Sequence, residues 1–398
     1  MTPKKRDLRG KGVQNSLGFV FGSASMLLLG QLVSTTKRKV LVGAGLFAVG
    51  VHTYLYTKSQ MGLFFSGGAV FGTIAGVLAE SKRLNKLEHG VDIPLIYSPL
   101  SIKQMLREAG YSIPKEPMGL KLVLDIYDLN EAPTHTRYFW NNIESDNSLG
   151  DWVPASVIKV FAVLAALQKL TLLGFGDKAI IEFKDTNQKI SIKELVWETL
   201  VKSNNMTYNR LVQLVGHDNL HDGFLRLFPN TEINTPYMKD KWALYTQGNT
   251  TFAAPRIEIQ EGGRSVLLDE KGVRVADLCR GQSACTRLSE MNDVLAQSIL
   301  FDRYSIAPEL RELYLSALGA RKSSGENFSE AVLSQITNYK LLNFNKHGYT
   351  GTSYNQSVLL YDPQKKIAFV VSASAREGSK SSLDLIGRVL GRLLNNFS

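Results

Sequence analysis

Trp152-Val153-Pro154-Ala155-Ser156-Val157-Ile158-Lys159 is the stretch on which the reading of this chain turns. An apolar run of helical length, residues 160–167, follows it directly. Positions i and i+3 of a helix share a face. Ser156 in the first turn therefore has the Lys159 amine one turn on, within reach of its hydroxyl. That pairing suits a serine nucleophile activated by a lysine base. The lysine must be partly desolvated to shed its proton near neutral pH, and the apolar run around it supplies such an environment. Alone, the spacing also describes a helix N-terminus with a serine near the cap and a surface lysine, so the surrounding chain decides.

Two further groupings follow. Lys202-Ser203-Asn204-Asn205-Met206-Thr207-Tyr208-Asn209 lies between helices predicted over 192–201 and 208–215. A loop serine and an amide presented together can relay a proton to a leaving group and hold a substrate amide. In isolation the segment reads as a Ser/Asn-rich turn and cap. Nearer the C-terminus, His347-Gly348-Tyr349-Thr350-Gly351-Thr352-Ser353-Tyr354-Asn355 leads into a strand at 357–361, turned by Asp362-Pro363 and returned at 367–372. A strand glycine admits close approach of a ligand to the backbone, and the strand edge can offer N–H groups to an oxyanion. Elsewhere, 121–128 and 137–140 read as a strand hairpin, 180–183 as a short strand and 383–394 as an amphipathic helix.

In this order, Ser156-x-x-Lys159, Ser203-x-Asn205 and the Thr-Gly triplet at 350–352 resemble the penicillin-recognising serine hydrolases, and most nearly their class A β-lactamase-like domain. The resemblance covers roughly residues 119–398. It includes the opening hairpin, Pro154 two before the serine, Asn209 four after Asn205 and a terminal helix. It implies an α+β fold, a five-stranded antiparallel sheet flanked by helices, with a helical lobe. It implies Ser156 as nucleophile, Lys159 as its activator, Ser203 as proton relay to the leaving nitrogen and Asn205 as binder of the acyl amide. Backbone N–H groups of Ser156 and Thr352 would form the oxyanion hole, and Thr350 with Gly351 would line the substrate carboxylate site. Two departures stand out. The family triplet begins with Lys, and the aligned residue here is Tyr349; Lys346 and His347 lie close by but out of register. The family's loop glutamate, which activates water for deacylation, finds its best match in Glu232, with Glu258 and Glu261 as fallbacks.

The resemblance implies an acyl-serine enzyme acting on β-lactam-type amides. A DD-peptidase-like activity on cell-wall peptides is the second reading. A catalytically weak domain that binds peptidoglycan, supported by Tyr349, is the third. No cofactor and no metal is called for. His217 and His221 stand four apart without an evident third ligand and read as a loop pair. Cys279 and Cys285 read as a small disulfide loop or as two unrelated thiols.

The net charge of +10 is concentrated at one end: residues 1–90 hold twelve Lys/Arg against three Asp/Glu. The remainder is nearly neutral, which excludes a nucleic-acid-binding surface of the usual basic kind. Residues 17–33, 40–56 and 61–79 are apolar, glycine-rich and free of Asp, Glu, Lys and Arg. They predict about three membrane helices within 1–83; a polar tether over 84–118, with a short amphipathic helix at 101–109 before Gly110, leads to the hydrolase domain over 119–398. A basic N-terminus kept inside and an odd number of spans would place that domain on the external face of the cytoplasmic membrane, where cell-wall substrates are.

Overall fold

Residues 121–128 alternate between two apolar environments, and both are filled. Strand β2 (Lys121–Asp128) buries Val123 and Tyr127 in one core and Leu122, Leu124 and Ile126 in another. Side chains alternate across a strand, so a strand covered on both faces reads as nearly continuous hydrophobicity, as this one does. The computed structural model describes residues 93–149, 152–237, 252–273, 278–279, 282–320, 327–376 and 380–397. The three apolar stretches of 1–83 lie outside the described residues.

The central sheet has the order β1-β3-β2-β12-β11-β10, formed by β1 (Leu95–Tyr97), β3 (Thr134–Phe139), β10 (Leu342–Tyr349), β11 (Ser353–Asp362) and β12 (Ile367–Arg376) with β2. Five of these strands are antiparallel neighbours, and β1 adds a sixth, parallel to β3. The sheet is therefore six-stranded and mixed, which corrects the expected five-stranded antiparallel one. Strand β1 is only three exposed residues between Pro94 and Pro99, too short to carry a periodic signal. The stretch expected as a tether also holds the helix Ile102–Glu108, closed at its start by a Ser101–Gln104 capping box. Its Ile102 and Leu106 pack into the same core as the C-terminal helix Lys380–Asn395.

The second lobe is not purely helical. Strands β4 (Ile180–Phe183), β5 (Gln188–Ser191), β7 (Ile257–Glu261) and β8 (Arg264–Leu268) form an antiparallel sheet of order β5-β4-β7-β8, and β6 (Glu232–Ile233) pairs with β9 (Ala284–Cys285). Through the larger core runs the helix Lys159–Leu172, buried on every side from Lys159 to Leu167. With the preceding turn it is long and apolar enough to cross a membrane by length and composition, yet 72% of that window is buried inside the protein. An all-round apolar helix is equally the mark of a core helix.

A buried ion pair ties the sheet to this core. Arg137 on β3 donates from Nε and Nη2 to the two carboxylate oxygens of Asp125 on β2, at 2.7 and 2.8 Å. The same Nη2 reaches Asp293 Oδ1 at 2.6 Å, on the helix Leu288–Ile299. Burial alone would raise the Asp125 carboxyl, but the charge and hydrogen bonds of Arg137, with His135 beside it, outweigh that and hold it below the ordinary carboxylate range.

Candidate active site

Ser156 lies in a tight helical turn, Ala155–Ile158, that runs directly into the core helix. Ala155 holds a left-handed φ of 49°, a conformation that a residue with a Cβ adopts only when its surroundings impose it. The imposing contact is visible: the Tyr237 hydroxyl donates to the Ala155 carbonyl at 2.9 Å. Three residues after Ser156, Lys159 is wholly buried. Its Nζ lies 2.5 Å from the Ser203 carbonyl and 2.5 Å from Asn205 Oδ1. A buried ammonium needs such partners. The rings of Tyr208 and Tyr237 complete the enclosure, each centroid 5.9 Å from that nitrogen.

Ser203 is presented by a helix cap. Asn204 accepts from the N–H groups of Met206 and Thr207 at 2.8 and 3.4 Å, starting the helix Asn205–Val215. The residue before the cap is thereby turned out of the helical path, with a φ of 59° at Ser203. Its hydroxyl lies 3.5 Å from Lys159 Nζ and accepts from Lys346 Nζ at 2.9 Å. Lys346 is also wholly buried, and its amine donates to the His347 carbonyl at 2.8 Å.

Lys346 brings to this group a strand residue that the expected triplet did not include. The strand residue that meets the Ser156 turn is Gly348, not Gly351. A Cβ placed on Gly348 would stand 2.7 Å from the Ser156 backbone nitrogen and 3.0 Å from the Pro154 oxygen and the Val157 nitrogen. Lys346-His347-Gly348 therefore runs along the site. Tyr349 is 61% exposed. Thr350, Gly351 and Thr352 form the tight connection between β10 and β11, where Thr350 Oγ1 accepts from the N–H groups of Thr352 and Ser353 at 3.2 and 3.0 Å. The Thr350 hydroxyl thereby closes the turn. The triplet expected from the sequence, beginning at Tyr349, lies three residues further along the chain than Lys346-His347-Gly348.

Among the described residues, Glu232 makes its contacts away from this constellation. It sits buried on β6, where its carboxylate accepts from the Cys279 N–H at 3.1 Å beside the Cys279–Cys285 disulfide. Glu258 pairs with Lys184, and Glu261 accepts from the N–H groups of Gly176 and Lys178. The acid and sulfur atoms close enough to hold a metal among the described residues are those of Glu232, Cys279 and Cys285, but the disulfide occupies both sulfurs. His217 and His221 both turn Nε2 to the Ile233 carbonyl, at 2.9 and 3.0 Å, so each acts as a donor there.

The residue overlooked in the sequence is Tyr237. Asn209 binds its backbone twice, to the carbonyl at 3.1 Å and from the N–H at 3.3 Å. Its ring stacks on Tyr208 at 5.1 Å. Burial pushes its phenol well above the ordinary tyrosine range, so it remains a donor. No local pattern in the sequence marks it, because its place is set by contacts with Asn209 and Ala155, 28 and 82 residues away.

Gly348→Ala tests the register. The clash is with backbone on three sides, so either β10 or the Ser156 turn must shift. A displacement on the order of 1 Å at reacting groups costs roughly 10²-fold in rate. The variant is expected to keep its far-ultraviolet circular dichroism and lose acylation by about that factor, whereas Gly351→Ala, with open space around its Cβ, stays near wild type.

No family model and no curated protein matches the chain. Solved structures similar to it include a protein named PBP-A, 13% identical over 76% of this chain and 97% of that one, with a TM-score of 0.49. A β-lactamase from Burkholderia vietnamiensis is 13% identical over 75% of this chain and 97% of its own, with a TM-score of 0.48. One from Xanthomonas campestris is 15% identical over 74% and 98%, with a TM-score of 0.46.

Proposed function

We propose that the chain is a serine acyl-transfer enzyme that opens amide bonds of the β-lactam or cell-wall peptide kind through an acyl-Ser156 intermediate. The observation that carries this is the Ser203 hydroxyl between two buried lysine amines. A hydroxyl has one proton to give. It accepts from the Lys346 ammonium, which leaves its own proton for Lys159 or for a leaving group. A neutral Lys159 retains two N–H donors, which the Ser203 carbonyl and Asn205 Oδ1 absorb, and its lone pair is left to take the Ser156 proton. In the proposed cycle Ser156 Oγ attacks the amide carbon and its proton passes to Lys159. Ser203 then delivers a proton to the departing nitrogen and is reprotonated through Lys159. Lys346 stays charged throughout and supplies the cation for a substrate carboxylate that Tyr349 could not. Because Asn205 Oδ1 is engaged by Lys159, its Nδ2 is the group for the acyl amide. The outer edge of β10, the last strand in the sheet, offers backbone N–H groups beside Ser156.

One observation favours slow release of the acyl group, and with it the peptidase-like reading. The residue whose backbone Asn209 holds beside Lys159 is Tyr237, and its phenol already donates to the Ala155 carbonyl. A protonated donor does not activate water. Incubation of the full chain with benzylpenicillin, followed by absorbance, is expected to show loss of the β-lactam ring in an amount close to the enzyme present and then a slow phase. Lys159→Ala is expected to remove both. Rapid multiple turnover would favour β-lactamase action instead.

The apolar stretches of 1–83 support a membrane anchor with the enzyme domain outside. A reporter fused after residue 90 is expected to respond as extracytoplasmic; a cytoplasmic response would sink that part of the reading.

A further inference from the structure

A cavity of about 830 Å³ opens where β2 begins and β12 ends, against the segment that leads into the nucleophile's turn. Its wall includes Lys121, Trp152, Val153, Ser353, Ser374 and Arg376, and none of Ser156, Lys159, Ser203, Asn205 and Lys346. Among the described residues, the lining holds two cations and no acidic residue. Arg376 is exposed and has no carboxylate partner among the described residues; its side chain lies over Gly119, with Nη1 3.7 Å from the Met118 sulfur. Trp152 is 6% exposed, and its indole N–H is buried without a hydrogen-bond partner among the described residues. An unpaired donor in the interior is costly, and this one belongs to a residue that lines a cavity of the size small-molecule sites have.

We infer that this cavity is a binding site, separate from the acyl-transfer site, for a small organic carboxylate. The guanidinium of Arg376 matches a carboxylate in a paired arrangement. Met118, Val153 and Ala375 provide apolar wall for the body of the molecule. The site adjoins the catalytic turn through Val153, whose carbonyl accepts from Asn355 Nδ2 at 2.7 Å.

Ligand-observed NMR titration of the full chain with benzoate and with neutral benzamide tests the inference. Saturable binding of benzoate alone is expected, weakened about tenfold in Arg376→Gln, as loss of a charged hydrogen bond implies. The same titration of Lys346→Ala is expected to match wild type. Equal binding of benzamide, undiminished binding in Arg376→Gln, or absence of saturable binding would overturn it. Loss of binding in Lys346→Ala would also overturn it, because the carboxylate would then be occupying the acyl-transfer site. Arg376 is exposed, so its replacement is expected to leave the fold intact.

Discussion

Lys346→Ala is expected to slow acylation by about 10²- to 10³-fold, the range typical for loss of one preorganised charged or hydrogen-bonding group at a reacting centre. The reason lies in its two contacts. Its amine holds the Ser203 hydroxyl at 2.9 Å and is itself held by the His347 carbonyl at 2.8 Å. Without it Ser203 loses the donor that orients its proton, and the site loses a buried positive charge. The paired control is Thr350→Val. That hydroxyl closes the β10–β11 turn, so its loss is expected to leave the acylation rate within a few-fold of wild type while lowering stability by about 1 kcal/mol. Stopped-flow acylation rates of the two variants decide between them. A large defect in Thr350→Val with a small one in Lys346→Ala would restore the later triplet.

The largest stability effect is expected at Arg137. Arg137→Met removes the guanidinium that joins the buried Asp125 carboxylate to Asp293 and leaves Asp125 with His135 alone beside it, at 3.4 Å. Breaking one side of a buried ion pair costs about 3–5 kcal/mol. The sign of its pH dependence follows. Asp125 titrates below its unfolded value of about 4 in the intact protein. The stability this contributes is present above that value and lost as pH falls through the lower folded one. In the variant the orphaned carboxyl is relieved by protonation instead, so the gap between variant and wild type narrows on acidification. Urea unfolding at neutral pH and near pH 4 measures both. Asp125→Leu combined with Arg137→Met is expected to recover much of the loss; no recovery would show that the pair does more than neutralise itself.

What was legible in the sequence followed from local rules. Residues 121–128 stand as β2 with the bounds read from their apolar pattern. Ser156 and Lys159 straddle the start of a helix because the apolar run behind them demands a core position. Asn204 capping explains why Ser203 and Asn205 face the same lysine. What was not legible depended on register or on distant chain. Lys346 and Thr350 are four residues apart on one hairpin, and only the approach of Gly348 to the Ser156 nitrogen says which part of the strand meets the turn. Strand β1 is defined by its partner β3 rather than by its own three residues. Glu232 had the right residue type in the right region, but backbone pairing with Cys285 commits it to the disulfide-bearing hairpin. Tyr237 has no local signature, since its role comes from Asn209 and Ala155, 28 and 82 residues away.

The central claim, that Ser156 carries an acyl group whose formation needs the two lysines, is tested most directly by the mass of the intact chain after incubation with benzylpenicillin. A mass increase equal to one penicillin, located on the Ser156 peptide, persisting for minutes and absent in Ser156→Ala, is the result predicted. An unmodified mass together with an unchanged penicillin, or an adduct that survives Ser156→Ala, would contradict it.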